Sequence, residues 1–536
     1  MKIGSDIVKV YKDVHIWVGI VCGLMLFIAF YAGAITIFEK PLERWATPPS
    51  TLSPPPPLED AEKLLAAVLA AHPQAAQRYS IVVNPVPDQP ARVIWSERGA
   101  RPRQQIEYGA SFAADGSLQV EKLRKAQAAQ MVDRMHQFVG LPLPDGIARY
   151  IMGAVALAYA VALLSGLIVL LPTLVTDVFA LRIGKNIKRM WLDAHNALGI
   201  FSLPFHLVIA LTSVVFAFHD PFYDSQAKAL YGGQINWGEH EEAPTGSAPL
   251  PASQLLQQAN AQLPGFEVYR FGFQRNRDGQ LEASIVGLDV RRGARGRTYM
   301  QTHLDPFTGT IDTHDLPGHM DGWSESVNAF FALHFGSYGG NPVRWLYVLM
   351  GLAGAALFYT GNLLWVESRR RKQRGAATVE QKRSVRVLAV LTVGVALGCV
   401  AGLSTSIAAA KWLPSRVDDL MFWHEAIYYV VFFAAVGWAL LRGAARSAGE
   451  LLWLCALTTL LIPLSSLAGV WGIGGTWNHA GSAAIDLTAL AAVPVLLLLA
   501  RHSRRRMREG RADSVWSADM LPTVHATAKG ALQSAD

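Results

Sequence analysis

Cysteine is scarce in this 536-residue chain, which contains only Cys22, Cys399 and Cys455, each inside an apolar run. We predict that they are small core residues and not disulfide partners, and the C-x-x-C-H pattern of covalent haem attachment is absent. Charged residues are also few, at 17%, whereas 51% of the residues are hydrophobic. This balance predicts a polytopic membrane protein that carries some soluble mass.

Nucleotide-binding motifs are missing as well. The sequence has no G-x-x-x-x-G-K-[ST] loop, and no G-x-G-x-x-G follows a predicted strand into a helix. Neither ATP-driven transport nor a built-in NAD(P)H or flavin domain is therefore predicted. The net charge of +7 comes mostly from a few basic loops, so nucleic acid is not predicted as a partner.

Long apolar runs are abundant instead. A helix that crosses a bilayer needs about 20 mostly apolar residues. By this criterion we predict eight spans, at Ile16–Phe38, Ile151–Leu171, Leu192–Phe218, Val343–Val366, Val385–Ala409, Met421–Leu441, Leu451–Val470 and Ala483–Ala500. The first run lacks a small-residue cleavage site, so we interpret it as a retained span and not as a signal peptide.

Two polar inserts, Leu58–Leu123 and Asp220–Asn341, separate the early spans. In the first insert the patterns predict a helix at Ala61–Ala71 and strands at Arg78–Val86, Val93–Ser96 and Gln105–Phe112. The predicted divisions are 1–39 (span one), 40–146 (first insert), 147–219 (spans two and three), 220–341 (second insert), 342–375 (span four), 376–502 (a four-span C-terminal extension) and 503–536 (a cytoplasmic tail).

Basic residues cluster in alternate loops. The clusters are Lys2, Lys9 and Lys12; Arg182, Lys185, Lys188 and Arg189; Arg369, Arg370, Arg371, Lys372 and Arg374; and Arg501, Arg504, Arg505, Arg506 and Arg508. With eight spans all four clusters fall on one side, and the short loops on the other side are poor in Lys and Arg. The positive-inside rule then predicts that both termini are cytoplasmic and both inserts face outward.

The first four spans contain an internal repeat. VHIWVGI at Val14–Ile20 matches AHNALGI at Ala194–Ile200, and each copy continues as span, insert, span. Each insert ends in a His, a Gly-rich turn and an Arg-aromatic pair: His136, Gly140, Arg149 and Tyr150 in the first copy, and His334, Gly339, Arg344 and Trp345 in the second. Two parallel repeats would bring His15 beside His195 on the cytoplasmic side, and His136 near His334 on the outer side.

Span three carries two His residues, His195 and His206, eleven residues apart. On one helix this spacing is a rise of about 16 Å and a return to within about 20° of the same face. Ionisable side chains at such depth are costly and usually functional. Two imidazoles at different depths therefore suit two b-type haems held without a covalent link. His206 has no counterpart in the first copy, where Leu26 stands.

Electron-transfer haem usually takes two axial side-chain ligands, most often His. We predict His15 and His195 as the ligands of a cytoplasmic-side haem, with ordinary interfacial His as the alternative. His136 and His334 are candidates for an outer haem, the alternative being surface His. His206 is interpreted either as a ligand paired with His334 or His136, or as a hydrogen-bonded neutral relay between the cofactors.

Other candidates are weaker. Arg149 and Arg344 are candidate partners of haem propionates, and anchoring of the helix at the membrane interface is the alternative. His424 and His479 form a possible third site, but surface or interfacial positions are favoured for both. The remaining candidates are His314 and His319, near Asp312, Asp315 and Asp321, which we interpret as a solvated loop and not as a metal site.

The chain resembles the PepSY-associated transmembrane proteins, a family that includes bacterial inner-membrane ferri-siderophore reductases and iron-regulated membrane proteins. The resemblance rests on HIWVG in span one, on LHFGSYGG…RWLYVLMGL…TGNLLW between Leu333 and Trp365, and on the second insert. There a helix at Leu255–Leu263 precedes the strand-turn HLDPFTGTI at His303–Ile311. The first insert, with SFAADGSLQV at Ser111–Val120, matches less well. The resemblance covers about Lys9 to Arg374, so spans five to eight have no predicted role.

The resemblance implies an α-helical polytopic protein of the bacterial inner membrane, with about eight spans. Two span-domain-span repeats would form a four-helix core and carry two small α+β PepSY-like periplasmic inserts. Two haem b would pass electrons from quinol or a cytoplasmic reductase to a ferric siderophore or another ferric chelate. Membrane lipid is the other predicted partner. Two function classes stay open beside this one: a PepSY-type regulatory or binding protein, and a siderophore or metal transporter.

Overall fold

The computed structural model describes residues 4–86, 89–98, 105–124, 126–174, 187–231, 248–289, 300–314, 316, 318–320, 322–372, 379–478, 483–511 and 513–517. Its α-helices are α1 (Ser5–Thr36), α2 (Glu39–Ala46), α3 (Ala61–Ala71), α4 (Ala128–Phe138), α5 (Asp145–Leu170), α6 (Ile187–Phe201), α7 (Leu203–Tyr231), α8 (Ala252–Gln262), α9 (Gly322–Phe335), α10 (Gly340–Ser368), α11 (Arg383–Ala409), α12 (Leu420–Val470) and α13 (Ala483–Glu509). Its strands are β1 (Arg78–Val82), β2 (Val93–Arg98), β3 (Gln105–Phe112), β4 (Leu118–Lys122), β5 (Phe266–Arg275), β6 (Leu281–Asp289) and β7 (Met300–Leu304). The protein is mostly helical, as predicted.

Among the described residues, six helices are long and apolar enough to cross a membrane: α1, α5, α10, α11, α12 and α13. The bent pair α6 and α7 adds a seventh if it is counted as one span. Helix α12 is 51 residues long and is interrupted at Gly443, where φ is 74° and ψ is 159°. Because each part is longer than the 20 or so residues that a bilayer requires, two spans fit within it. The total of eight spans stays a prediction.

The third predicted span is a bent pair of helices and not one straight helix. Helix α6 ends at Phe201, α7 begins at Leu203, and the two are bent by 69°. Pro204 explains the break, because its ring has no N–H and clashes with the carbonyl four residues earlier, that of Ile200. The prediction that His195 and His206 share one face of one helix is therefore wrong.

The described residues form two compact units. The first comprises those within Met1–Ala46, Ala126–Ala210 and Val348–Asp536, and the second those within Thr47–Lys125 and Leu211–Tyr347. In the first unit, α1 packs against α4 and α5, and α12 packs against α11 and α13. The first unit therefore contains helices of the repeat together with those of the C-terminal extension.

Glycines bring α11 and α12 together. A Cβ on Gly394 would lie 3.0 Å from the Cα of Val436, and one on Gly402 would lie 3.1 Å from the carbonyl oxygen of Tyr428. Gly398, halfway between them, would place a Cβ 3.0 Å from the carbonyl oxygen of Phe432. The four-residue spacing puts all three glycines on one helix face, where the missing side chains let the two backbones approach.

A buried polar network attaches the C-terminal helices to the segment after α1. The indole Nε1 of Trp45, on α2, donates to Ser466 Oγ at 3.0 Å and to Asp486 Oδ1 at 3.1 Å. Lys411, which is fully buried, places its Nζ 4.4 Å from the Trp45 ring centroid and donates to Ser466 Oγ at 2.9 Å. The extension is thus held by directed contacts as well as by apolar packing.

The second unit contains an antiparallel sheet in the order β4-β3-β2-β1-β5-β6-β7. Strands β1–β4 come from the first insert and β5–β7 from the second. The two sets meet where β1 pairs with β5, with Tyr79 opposite Phe273. In separate domains β1 and β5 would each be an unpaired edge, and their pairing covers both edges. The sequence patterns predict two separate inserts and do not indicate a shared sheet.

Each insert supplies one helix to the core on this sheet. Leu64 and Val68 of α3, and Leu255 of α8, are fully buried against Trp95 and Phe271 of the sheet. Burial alternates along β6, as expected for a strand with one face on a core. The predicted helix at Ala61–Ala71 and the predicted strand at Gln105–Phe112 are both confirmed. Each insert is thus a helix followed by antiparallel strands.

Candidate functional site

His15 and His195 lie together in the first unit. Their ring centroids are 6.1 Å apart and their planes are 72° apart. The Nδ1 of His15, on α1, is 2.8 Å from the carbonyl oxygen of Ala162 on α5. The Nδ1 of His195, on α6, is 3.1 Å from the carbonyl oxygen of Leu357 on α10. Since a carbonyl only accepts, each Nδ1 carries the proton and each Nε2 keeps the lone pair that binds a metal.

A glycine lies against each of these imidazoles. A Cβ on Gly166 would lie 2.8 Å from Cε1 of His15, and a Cβ on Gly361 would lie 3.3 Å from Cε1 of His195. Gly166 comes four residues after Ala162, and Gly361 comes four residues after Leu357. In each case the glycine and the carbonyl that accepts from the imidazole therefore lie on the same face of the helix. The absence of a side chain therefore lets each imidazole lie directly on the neighbouring helix.

Sequence reasoning missed both glycines. They lie at matching places in the two repeats: Gly166 is seventeen residues after Arg149, and Gly361 is seventeen residues after Arg344. That shared interval was the signal that could have identified them. The two copies thus hold His15 and His195 in the same way, as the internal repeat predicts.

His136 is held by the same arrangement farther along α1. It lies in the last turn of α4, and its Nδ1 is 2.8 Å from the carbonyl oxygen of Ala29. A Cβ on Gly33, four residues after Ala29, would lie 2.8 Å from the same nitrogen. Ala29 is fourteen residues after His15, which corresponds to about 21 Å along the helix axis. Helix α1 therefore contributes one imidazole and holds a second at a different depth.

His334 occupies the equivalent position in the second unit. It lies in the last turn of α9, and its Nδ1 is 2.8 Å from Thr212 Oγ1 on α7. The ring of Phe216, one turn along α7, packs edge-on against it at 5.0 Å. A hydroxyl thus replaces the carbonyl used by the other three rings. His136 and His334 belong to different units, and their pairing stays a prediction.

His206 is fully buried in an aromatic surround in the first unit. Its ring centroid is 5.4 Å from that of Phe30 and 5.7 Å from that of Phe205. The hydroxyl of Tyr159 is 2.6 Å from Nδ1, whereas Nε2 is buried with no hydrogen-bond partner among the described residues. A Cβ on Gly354 would lie 3.0 Å from its Cε1. One nitrogen of His206 is therefore held, and the other has no partner among the residues that the structure describes.

Comparison with protein families identifies one match: the family described as the PepSY-associated TM region matches residues 13–368. This is about two thirds of the chain. The protein belongs to the PepSY-associated TM family. Comparison with curated proteins gave no match.

All seven predicted site residues lie within the region that matches the PepSY-associated TM family. Arg149 and Arg344 are each the fifth residue of a spanning helix, α5 and α10, and both are half-buried. Left-handed glycines precede both helices, Gly140 with φ 70° and Gly339 with φ 73°. The helix, turn and span of the two repeats therefore correspond, while the role of the two arginines stays a prediction.

The remaining His candidates of this PepSY-associated protein are His424, His314, His319 and His479. His424 is 1% exposed and its Nδ1 is 2.9 Å from Ser406 Oγ, so it is not a surface residue, and the interfacial alternative stays a prediction. His314 and His319 are exposed. His479, Asp315 and Asp321 lie outside the described residues. Within the described part of the chain, no group of three or more His, Cys, Asp and Glu residues is placed to hold a metal ion.

The three cysteines are free and buried, as predicted.

Proposed function

We propose that this PepSY-associated membrane protein is a di-haem electron-transfer protein that reduces ferric iron, held by a siderophore or another chelate, on the periplasmic side of the bacterial inner membrane. Electrons come from quinol or a cytoplasmic reductase. The observation that carries the proposal is the pair His15 and His195 in the first unit. Their ring centroids are 6.1 Å apart, and each Nδ1 donates to a backbone carbonyl.

The spacing of this pair fits one metal ion between two imidazoles. A metal–imidazole bond is about 2 Å long, and the ring centre lies about 1 Å beyond that nitrogen, so two such ligands have centroids about 6 Å apart. The measured separation is 6.1 Å. Nδ1–H bonds to carbonyls are also the usual way in which proteins orient a metal-bound His. His15 and His195 therefore fit the two axial positions of a haem b.

The second haem is assigned to the far end of α1, where His136 is held by Ala29 and Gly33. The separation of about 21 Å along the axis from His15 to Ala29 matches two redox centres at different depths of a bilayer. His206, with its unpartnered buried Nε2, and His334 are the candidates for the other axial ligand, and the choice between them stays a prediction.

Haem b, when bound, supplies a centre that takes up and releases one electron at a time. The chain's own contribution is to fix the imidazoles: the carbonyls of Ala162 and Leu357 hold the protons on Nδ1, and Gly166 and Gly361 leave room for the rings. Two axial His ligands leave no open coordination position for O₂. Such a centre passes electrons on and does not activate oxygen, which suits a ferric acceptor.

The acceptor is proposed to bind on the inserts, which face the periplasm if both termini are cytoplasmic. Reduction converts Fe(III) into Fe(II), a softer ion that oxygen-donor chelators hold less tightly. Iron would then leave the chelator without the chelator crossing the inner membrane. A PepSY-type regulatory or binding protein, and a siderophore or metal transporter, are the competing functions, and neither requires a redox cofactor.

The test is the haem content of the purified full-length protein, measured with its reduced-minus-oxidised spectrum. We expect two b-type haems per chain and loss of about one haem in His15→Ala and in His195→Ala. His502→Ala, on the exposed face of α13, is the matched control and should keep both. Dithionite-reduced protein should then be reoxidised anaerobically by a ferric siderophore, with Fe(II) trapped by a colorimetric chelator. A colourless wild-type protein, or reoxidation no faster than in buffer, would overturn the proposal.

A further inference from the structure

A buried cluster of hydrogen-bond donors lies where α6, α10, α13 and residues 513–517 meet in the first unit. The guanidinium carbon of Arg506 lies 5.8 Å from the ring centroid of Trp191 and 5.5 Å from that of Trp516. Arg506 Nη2 donates to Glu367 Oε1 at 3.3 Å, and Arg370 Nη1 is 3.4 Å from Glu367 Oε2. The side chain of Glu367 is 2% exposed. Two guanidinium groups thus share one carboxylate.

Donors in this cluster lack acceptors. Within the described part of the chain, the indole Nε1 atoms of Trp191 and Trp516 are buried without a hydrogen-bond partner. Trp516 as a whole is only 6% exposed. Buried donors are nearly always paired, because an unpaired one loses its hydration and gains nothing in return. Two such indole N–H groups beside the Arg506 guanidinium indicate that an acceptor binds there.

The cluster adjoins the His15 and His195 pair. Trp191 is four residues before His195 on α6, which puts it on the same helix face and about 6 Å along the axis. Glu367 follows Leu357, whose carbonyl holds His195, along α10, and Arg370 lies two residues beyond the end of that helix. The donors therefore lie to one side of the paired imidazoles, in the direction of the N-terminal end of α6.

Haem b carries two propionate carboxylates on one edge, and these are the only charged substituents on its ring. Carboxylates accept hydrogen bonds from indole N–H groups and from guanidinium, and the bonds to guanidinium are the stronger ones. If such a haem lies between His15 and His195, its propionates need hydrogen-bond donors about one or two helix turns from the two imidazoles. The cluster offers them from three separate elements.

We propose that Trp191, Trp516 and Arg506 bind the propionates of the haem held by His15 and His195. The inference rests on the proposed function. Arg506 and Trp516 lie beyond residue 368, where the match to the PepSY-associated TM region ends. The C-terminal extension, for which the sequence predicted no role, thus completes a cofactor site in the repeat. Arg506, interpreted from sequence as part of a topology signal, is a positioning residue for the haem.

The test compares haemin with haemin dimethyl ester, whose propionates cannot form these bonds as anions. Full-length apoprotein in detergent is titrated with each compound, and His195→Ala identifies the binding phase that belongs to this haem. The variants are Trp191→Phe and Trp516→Phe, which keep a ring but lose the N–H, and Arg506→Gln. The controls are Trp453→Phe on α12, whose ring centroid lies 5.6 Å from the guanidinium carbon of Arg504, and Arg505→Gln, whose side chain is 75% exposed.

We expect each cluster variant to weaken haemin binding in that phase by about tenfold, the size of one hydrogen bond to a charged group, while both controls bind like wild type. The ester should bind wild type about tenfold or more weakly than haemin does, and it should bind the cluster variants no more weakly than wild type. Equal weakening of both compounds by the variants would show a structural role only and would overturn the inference.

Ester binding to wild type that is as tight as haemin binding would also overturn it, since the cluster would then serve the carboxylate of another ligand. If wild type binds haemin at the His15 and His195 site and the cluster variants bind it equally tightly, this inference is wrong and the proposed function stands. Failure of wild type to bind either compound would instead remove the proposed function, and the inference with it.

Discussion

Adding one methyl group at Gly166 should displace the imidazole of His15. The new Cβ would lie 2.8 Å from Cε1 of that ring, whereas carbon atoms in contact prefer about 3.5–4.0 Å. The ring must then move by roughly 0.7 Å or more, and metal sites tolerate deviations of only about 0.2 Å in ligand distance. We therefore expect Gly166→Ala to lose about one haem per chain. The helix itself should gain about 1 kcal/mol, because Ala is the better helix former.

The other glycines of α1, α5 and α10 provide graded comparisons. A Cβ on Gly361 would lie 3.3 Å from Cε1 of His195, a smaller overlap, so Gly361→Ala should keep the haem with a shifted midpoint potential. Gly33→Ala, with its Cβ 2.8 Å from Nδ1 of His136, should lose the other haem. Gly19→Ala is the control, since nothing lies within 4 Å of its Cβ and it is one turn from His15.

The assay is the haem-to-protein ratio of each purified variant, combined with its reduced-minus-oxidised spectrum and a thermal unfolding curve. The unfolding curve separates loss of haem from loss of fold. If Gly166→Ala keeps two haems with the spectrum of wild type, then His15 does not bind haem through the geometry described here. If all four variants lose haem alike, the effect is a general response to substitution and the reasoning from contact distances fails.

Two further predictions concern topology and the outer site. Alkaline phosphatase fused after Thr245 should be active and a fusion after Gly375 inactive, because the basic loops place both termini in the cytoplasm; the reverse pattern would refute that orientation. His334→Ala should slow reoxidation of the reduced protein by a ferric siderophore while the spectrum of the His15 and His195 haem stays unchanged, and an unaltered rate would remove His334 from the electron path.

The elements of this protein were largely predictable from sequence because their signals are local. An apolar run of bilayer length has few alternatives to a helix, so both ends of α10 and α11 were predicted to within three residues. Helices α1 and α5 were predicted too, but they begin eleven and six residues before the predicted spans. The helix Ala61–Ala71 and the strand at Gln105–Phe112 follow from periodicity alone. The pairing of His15 with His195 followed from the repeat, since equivalent positions of two parallel copies lie at one depth.

Contacts between distant segments were decided only by the tertiary structure. No local pattern states that β1 and β5 pair across two inserts, because any unpaired strand edge has the same exposed N–H and C=O groups. The break before Pro204 separates two His residues that ideal helix geometry places on one face. Trp191 is more than three hundred residues from Arg506 and Trp516 in the sequence, so no local pattern indicates that they form one cluster. The unpaired indole donors of this cluster are recognised only when the burial of each atom is known.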